Sequence, residues 1–167
     1  RAAAVAHDHP GVEVLPDARS ALDRADDFDL AVVATANVSH VPLVRASLEQ
    51  GLHVVVDKPL APDAETGAAL LRHATAVGRQ LHVFQNRRWD SDFLTLQALL
   101  ADGRLGSIHR VESRFERWRP TPGNGWREDA DPAALGGLLY DLGSHLADQA
   151  VLACGPVTSV YAEVRSL

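Results

Sequence analysis

The stretch "LAVVATANVSHVPLVRASLEQGLHVVVDKP", residues 30–59, decides the fold of the first half of the chain. It opens and closes on short apolar runs, at 30–35 and 53–56, and such runs are typical of strands covered on both faces. Between them we predict a helix that Ser39 caps and Gly51 ends. A strand, a helix and a second strand in this order predict two parallel strands joined by a crossover.

The same pattern continues on both sides of this stretch. A second helix is predicted from Asp63 to a stop at Gly78, followed by a third strand at 81–84. A weaker strand at 12–14 precedes a short helix that begins at Asp17. One side of the second helix is expected to be apolar and to consist of Leu70, Leu71, Ala74 and Val77. The first part of the chain is therefore predicted to be an open parallel sheet.

The pattern changes after a predicted helix at about 88–101. "SIHRVESRFERW" (107–118) and "VTSVYAEV" (157–164) alternate apolar and polar residues, which favours longer strands with one wetter face. A loop at 119–135 leads into a helix at 136–152. We place a domain junction near residue 87. The predicted fold class is α/β: a partial parallel sheet, followed by part of an α+β, mainly antiparallel sheet domain.

Composition narrows the classes of partner. The chain has 167 residues, a net charge of -6 and no cluster of Lys and Arg on a repeated face, which argues against nucleic acid. No apolar run is long enough to span a bilayer, and the first residues lack a signal-peptide core. With a single cysteine, Cys154, the sequence predicts a cytoplasmic location without a membrane partner.

Polar residues follow each of the three main predicted strands. The first strand runs into "TAN", the second into "DKP" and the third into "QNR", so Asn37, Lys58 and Asn86 are expected at one edge of the sheet. Ligands of open parallel sheets bind at this carboxyl edge. Each residue alone is also explained as a turn residue or a solvated charge. Lys58, directly after an apolar strand, is the strongest candidate for a ligand or proton partner.

A second candidate lies in "GGLLYDLGSHLADQ", residues 136–149. Asp141 and His145 are four residues apart and therefore fall side by side at the margin of a leucine stripe formed by Leu138, Leu142 and Leu146. A surface pair explains this spacing as well. Gly143 favours a functional role, because a glycine inside a helix costs roughly 1 kcal/mol relative to alanine.

These motifs together resemble the glucose-fructose oxidoreductase, inositol dehydrogenase and MocA (Gfo/Idh/MocA) family. "DKPLAPDAETGAALL" resembles the second half of its nucleotide-binding domain, and "YDLGSHLADQ" resembles its catalytic helix. "FQNRRWDSDF" and "ESRFERWRP" resemble the branch of NADP-dependent scyllo-inositol dehydrogenases. The similarity covers essentially the whole chain.

The resemblance implies an incomplete Rossmann domain at 1–86 that binds NAD or NADP, with NADP slightly favoured. Residues 87–167 then begin a domain for substrate binding and oligomerisation, as a homodimer or homotetramer. The implied reaction is hydride transfer between nicotinamide and a secondary hydroxyl of a sugar or cyclic polyol, with Lys58, Asp141 and His145 as catalytic residues. The implied cofactor-binding residues are Thr35, Asn37, His40, Asp57, Lys58, Asn86, Arg87, Trp126 and Arg127. Asp148 is expected to support the site or to contact the neighbouring domain.

The sequence departs from the family pattern at three places. Asp57 stands where the family usually has Glu, and Ala36 where it usually has Pro. No Gly-x-Gly-x-x-Gly turn, which would hold a pyrophosphate, occurs in the 167 residues. We therefore expect the start of the nucleotide-binding domain and the end of the second domain, as the family has them, to lie outside these 167 residues.

Two other classes of function stay open at this point. His7 and His9 in "HDH", with a distant carboxylate, have the ingredients of a metal-dependent hydrolase. A non-catalytic sugar-binding relative would keep the fold without turnover, although Lys58, Asp141 and His145 speak against it.

Overall fold

A computed structural model describes residues 2–116, 118, 120, 121, 123, 125–128 and 131–164. The chain divides into two compact units, residues 1–84 and 85–167. Within the described residues, no helix is both long and apolar enough to cross a membrane.

The first unit is a three-stranded parallel sheet with helices between the strands. Its elements, in chain order, are α1 (Ala2–Asp8), α2 (Ala18–Leu22), β1 (Leu30–Val33), α3 (His40–Glu49), β2 (His53–Asp57), α4 (Ala64–Ala76) and β3 (Leu81–Phe84). The strand order is β1-β2-β3, and both pairs are parallel. The three main strands predicted from apolar runs are confirmed to within two residues at their ends.

The core of this unit lies between the sheet and α3 and α4. Val54 and Val56 of β2 are completely buried, and so are Val44 of α3 and Leu70 of α4. Val55 points to the other face and is partly buried. The helices therefore cover one face of the sheet.

The other face of β1 is open, contrary to the expectation of a strand covered on both sides. Leu30 is 50% exposed and Val32 is 67% exposed. Both helices that pack on the sheet cover its opposite face, so nothing in the described chain buries these side chains. The apolar side predicted for α4 is also wrong in part, because Leu71 and Val77 are exposed while Leu70 and Ala74 are buried.

The predicted helix ends are mostly confirmed. Asp17 and Asp63 cap α2 and α4 by accepting backbone N–H bonds from Ser20 and Thr66. Gly51 and Gly78 have positive φ angles of 80° and 68°, which suit glycine at a helix end. Ser39 stands at the predicted N-cap position of α3, but its side chain makes no capping hydrogen bond.

Ser39 is also the last residue of a 3₁₀ turn, Asn37–Ser39, that precedes α3. Its hydroxyl donates to the carbonyl oxygen of Ala36 at 2.7 Å, so the side chain turns away from the first amides of the helix. The weak strand predicted at 12–14 is also wrong, since these residues have no strand partner in the described chain and are largely exposed.

In its described residues, the second unit has two longer α-helices, α5 (Ser91–Ala101) and α6 (Ser144–Cys154). A 3₁₀ turn, Asn86–Trp89, occupies the first residues of the helix that we predicted from residue 88. A π-helical turn, Leu139–Gly143, leads directly into α6. Two more 3₁₀ turns are Trp126–Glu128 and Pro132–Ala134.

The two longer strands predicted in this unit do not form in the described residues. Residues 107–116 and 157–164 have no regular structure and are mostly exposed. A strand needs a neighbour to satisfy its N–H and C=O groups, and alternating apolar side chains alone do not supply one. The described part of the chain therefore lacks the expected antiparallel sheet.

Candidate active site

The carboxyl ends of the strands in the first unit lie at one edge of the sheet. Val33 of β1 is paired with Val56 of β2, and Asp57 of β2 is paired with Phe84 of β3. Because the strands are parallel and in this register, the turns that carry Thr35 and Lys58 leave the same edge. This confirms the local placement expected for the turns after β1 and β2.

The turn after β1 is fixed by its own side chains. The Thr35 and Ser39 hydroxyl oxygens are 2.7 Å apart, and since Ser39 donates to Ala36, Thr35 is the donor to Ser39. Asn37 begins the 3₁₀ turn and is 6% exposed, so it is held in the interior of this turn. A hydroxyl and a carboxamide are therefore positioned on a rigid turn at the sheet edge.

His40 connects the turn after β1 with the turn after β2. The residue is 1% exposed; its Nδ1 lies 2.8 Å from the carbonyl oxygen of Pro59, and its Nε2 lies 3.2 Å from that of Thr35. A neutral imidazole donates through one nitrogen only, so one of the two carbonyls accepts its hydrogen bond. His40 as a cofactor contact stays a prediction, and the structure gives the ring internal partners.

The turn after β2 carries Asp57 and Lys58. Asp57 is the last residue of β2, and both residues are partly buried. The peptide bond between Lys58 and Pro59 is cis. The carbonyl oxygen of Pro59 lies within hydrogen-bond distance of the His40 ring. Lys58 is therefore next to a backbone group that His40 contacts.

In the second unit, the Asn86–Trp89 turn holds two of the predicted cofactor residues. Asn86 is exposed, while Arg87 is engaged internally: its Nη1 donates to Asp90 at 2.9 Å, and its guanidinium lies over the ring of Phe115 at 4.8 Å. A structural role accounts for Arg87 in full except at Nε.

Two buried polar atoms near this turn have no hydrogen-bond partner among the described residues: Nε of Arg87 and Oε1 of Gln85. Buried unsatisfied polar atoms are uncommon and call for an explanation such as a ligand. Gln85, the first residue of "QNR", is not among the site residues predicted from the sequence. A buried, unpaired acceptor is visible only in three dimensions, so no sequence signal would have found it.

The same turn is joined to α6 by polar side chains. Arg88 and Asp148 form a two-pronged ion pair, with Nε to Oδ2 at 2.8 Å and Nη2 to Oδ1 at 2.5 Å. Its hydrogen bonds to Asp148 raise the pKa of the Arg88 guanidinium. Gln149 adds a third bond by donating from Nε2 to the carbonyl oxygen of Arg87 at 3.1 Å.

The helix that carries Asp141 and His145 begins with the π-helical turn. The N–H of Ser144 bonds to the carbonyl oxygen of Leu139, five residues earlier, which places one extra residue in the turn. The predicted leucine stripe is broken as a result, because Leu142 is buried while Leu138 is 74% exposed. Single π-turns inside α-helices occur frequently at functional sites.

The two candidate catalytic residues differ in exposure. His145 is 5% exposed, whereas the side chain of Asp141, inside the π-helical turn, is 28% exposed. We expected both at the margin of the helix, and His145 is more deeply buried than that. A Cβ on Gly143 would lie 3.1 Å from Cδ1 of Leu139, so the glycine makes room for a side chain of its own helix.

Arg127 lies near one of these candidates. Its Nε is 3.8 Å from Oδ1 of Asp141, and its guanidinium lies over the ring of Trp126 at 4.6 Å. With 59% of its side chain exposed, Arg127 forms a loose ion pair. The structure thus connects Trp126 and Arg127 with the helix that carries Asp141, and their contact with a cofactor stays a prediction.

The histidines considered for metal binding lie elsewhere. His7 and His9 are exposed, at and just after the end of α1. Among the described residues, no group of three His, Cys, Asp or Glu side chains has an arrangement that could hold a metal ion.

A parallel sheet with polar side chains at its carboxyl edge is the arrangement of dinucleotide-binding α/β proteins. Two family profiles match the chain: the oxidoreductase family with an NAD-binding Rossmann fold over residues 1–85, and the GFO/IDH/MocA C-terminal domain over residues 93–167. The chain belongs to the Gfo/Idh/MocA family, as the sequence motifs indicated.

Individual relatives agree with this assignment. The chain is 44% identical over 160 residues to the uncharacterised oxidoreductase YdgJ of Escherichia coli, covering 96% of this chain and 45% of that protein. It is 37% identical over 162 residues to the scyllo-inositol 2-dehydrogenase (NADP⁺) IolW of Bacillus subtilis, covering 97% of this chain and 44% of that protein. The predicted similarity to the scyllo-inositol dehydrogenase branch is confirmed.

A solved structure gives the same result in three dimensions. The inositol dehydrogenase homologue from Azotobacter vinelandii, complexed with NAD⁺, superimposes with a TM-score of 0.72 at 30% identity, covering 84% of this chain and 39% of that chain. The chain thus spans less than half the length of the relatives it matches.

Proposed function

We propose that the protein containing this chain is an NAD(P)-dependent oxidoreductase that transfers hydride between nicotinamide and a secondary hydroxyl of a sugar or cyclic polyol such as an inositol. The observation that carries the proposal is the pair Asp141 and His145 on the π-turn and α6 of a chain that belongs to an NAD-binding oxidoreductase family. The names of IolW and of the inositol dehydrogenase homologue support the polyol class.

Oxidation of a secondary alcohol requires removal of the hydroxyl proton as hydride leaves the carbon. We assign the proton to His145, because an imidazole exchanges protons near neutral pH and accepts one when neutral. Its burial removes water that would compete for the proton. Lys58 supplies a positive charge that stabilises the developing alkoxide. Asp141 is assigned to hydrogen-bond the substrate hydroxyl or to orient Lys58.

The nicotinamide cofactor supplies the hydride acceptor when it is bound. The sheet edge of the first unit fits such a group, because Thr35, Asn37 and Lys58 bring a hydroxyl, a carboxamide and a cation to turns that leave the same edge. These groups suit ribose hydroxyls, phosphates and a carboxamide. In the second unit, Oε1 of Gln85 has no hydrogen-bond partner among the described residues and fits a donor group of a ligand. We leave both NAD and NADP as candidates.

The proposal assigns a different role to each half of the chain. Residues 1–86 would contribute to dinucleotide binding, and residues 87–167 would begin the domain for substrate binding and assembly into a homodimer or homotetramer. The family assignments of 1–85 and 93–167 support this division.

The test is a screen of the full-length protein against inositols and aldoses with NAD⁺ and with NADP⁺, monitored by the absorbance of the reduced nicotinamide. We expect reduction with at least one cyclic polyol or sugar and a preference for one cofactor. Tight cofactor binding without turnover across the panel would contradict catalysis and favour a sugar-binding protein without activity. Absence of both cofactor binding and turnover would overturn the proposal entirely.

A further inference from the structure

The contacts around the Asn86–Trp89 turn are concentrated on one stretch of α6. Asp148 and Gln149 of α6 both bond to this turn, the first to the Arg88 side chain and the second to the Arg87 backbone. They lie three and four residues after His145, so all three residues share one side of the helix. The polar contacts that hold α6 are therefore within one helical turn of the candidate base.

The Arg88–Asp148 ion pair has the geometry of a specific contact. Both prongs are within hydrogen-bond distance, and the Asp148 side chain is 14% exposed while that of Arg88 is 45% exposed. A two-pronged pair of arginine and carboxylate fixes direction as well as distance. The partners are 60 positions apart in the sequence, so the pair sets tertiary structure rather than local helix stability.

We propose that the Arg88–Asp148 ion pair is a positioning device that fixes the rotation and axial position of α6, and through them the imidazole of His145. This proposal rests on the proposed function, in which His145 accepts the proton of the substrate hydroxyl. Arg88 lies in the Asn86–Trp89 turn, so the bridge ties α6 to this turn within the second unit. Arg88 and Asp148 are positioning residues and do not touch substrate in this account.

The test exchanges the two charges in the full-length protein: Arg88→Asp, Asp148→Arg and the double variant. Each single variant places two like charges at the bridge, so we expect kcat to fall about 10-fold to 100-fold, since small misplacements of reacting groups have effects of this size. The KM for the cofactor should stay within about threefold, because neither Arg88 nor Asp148 is assigned to bind the cofactor. The double variant should recover most of the lost kcat, because it restores an Arg–Asp pair.

A second measurement keeps the test independent of activity. Hydrogen exchange of the backbone amides of α6, residues 144–154, should be faster in each single variant and slower again in the double variant. If the single variants do not fold, Asp148→Asn removes the charge at nearly constant shape and is measured instead. The control is the exposed Arg19–Asp23 pair, in which Nε of Arg19 lies 2.8 Å from Oδ1 of Asp23. Swapping these two charges in the same way should leave kcat and the hydrogen-exchange rates of α6 unchanged.

Wild-type kcat and wild-type exchange in the single variants would overturn the proposal. So would a loss of kcat that the double variant does not restore. If the wild-type protein oxidises no polyol with either cofactor, the proposed function fails. The hydrogen-exchange data then test by themselves whether the ion pair positions α6. Faster exchange in the single variants with recovery in the double variant supports the bridge, and unchanged exchange overturns it.

Discussion

Each of the two units is stabilised internally by a different kind of interaction. In the described residues, every buried apolar side chain lies in the first unit except Phe93 and Leu142. The second unit is organised around one turn, whose contacts are ion pairs, a hydrogen bond and a cation–aromatic contact. Apolar burial is insensitive to direction, whereas charged pairs fix geometry. We therefore expect substitutions in the apolar core of the first unit to act on stability, and substitutions at the charged contacts of the second unit to act on rate.

The largest effect on stability is expected in the core of the first unit. Leu70→Ala removes a completely buried side chain and leaves a cavity, so the free energy of unfolding should fall by about 2–5 kcal/mol. The measurement is denaturant unfolding of the full-length protein. Leu71→Ala is the matched control, because Leu71 is adjacent and 50% exposed, and it should cost less than about 1 kcal/mol. Equal losses for the two variants would contradict the assignment of the core.

A smaller effect is expected at the polar contact inside this unit. His40→Phe keeps the ring size at this buried position but removes the imidazole's hydrogen bond to the carbonyl oxygen of Pro59 or Thr35, so stability should fall by about 1–3 kcal/mol. Denaturant unfolding measures this as well. His82→Phe, at an exposed position of β3, should change stability by less than about 0.5 kcal/mol. A His40→Phe variant as stable as the wild type would show that the ring does not tie the two turns.

The smallest effect is expected at a helix cap on the surface. The backbone N–H of Thr66 donates to Asp63 and lowers the pKa of its carboxyl, with a further hydrogen bond from the Thr66 hydroxyl. Asp63→Ala should lower Tm by a few degrees at neutral pH, whereas Asp63→Asn, which still caps, should lower it less.

The pH dependence of this cap has a definite sign. Because the pKa of Asp63 is lower in the folded than in the unfolded state, its stabilisation is present above the unfolded value of about 3.9 and is lost as pH falls through the folded value. The Tm difference between wild type and Asp63→Ala should therefore shrink in acid. A difference that stays constant down to about pH 3 would contradict the charged cap.

The sequence predicts the first unit well because its signals are local. The apolar runs at 30–35, 53–56 and 81–84 are strands, and Gly51 and Gly78 end helices through positive φ angles. Each signal needs only a few neighbouring residues to act. Ser39 stands at the predicted N-cap position but does not bond to the helix amides, because its hydroxyl donates to a competing acceptor, the carbonyl of Ala36, three residues earlier.

The second unit is harder to predict because its determinants are distant or cooperative. Arg88 and Asp148 are far apart in sequence, and nothing in either local pattern indicates the pair. The π-helical turn depends on a hydrogen-bond register that side-chain periodicity does not encode, so the leucine stripe was misjudged at Leu138. Alternation at 157–164 predicted a strand, yet the described chain provides no partner for it.

The assignment of His145 as the base is tested most directly by turnover of His145→Ala in the full-length protein, with the polyol and cofactor found in the screen. We predict that kcat falls by about two to four orders of magnitude, because the variant lacks the imidazole assigned to accept the hydroxyl proton. His109→Ala, an exposed histidine of the same unit, is the control and should keep wild-type kcat. Near-normal turnover of a folded His145→Ala variant would contradict the account.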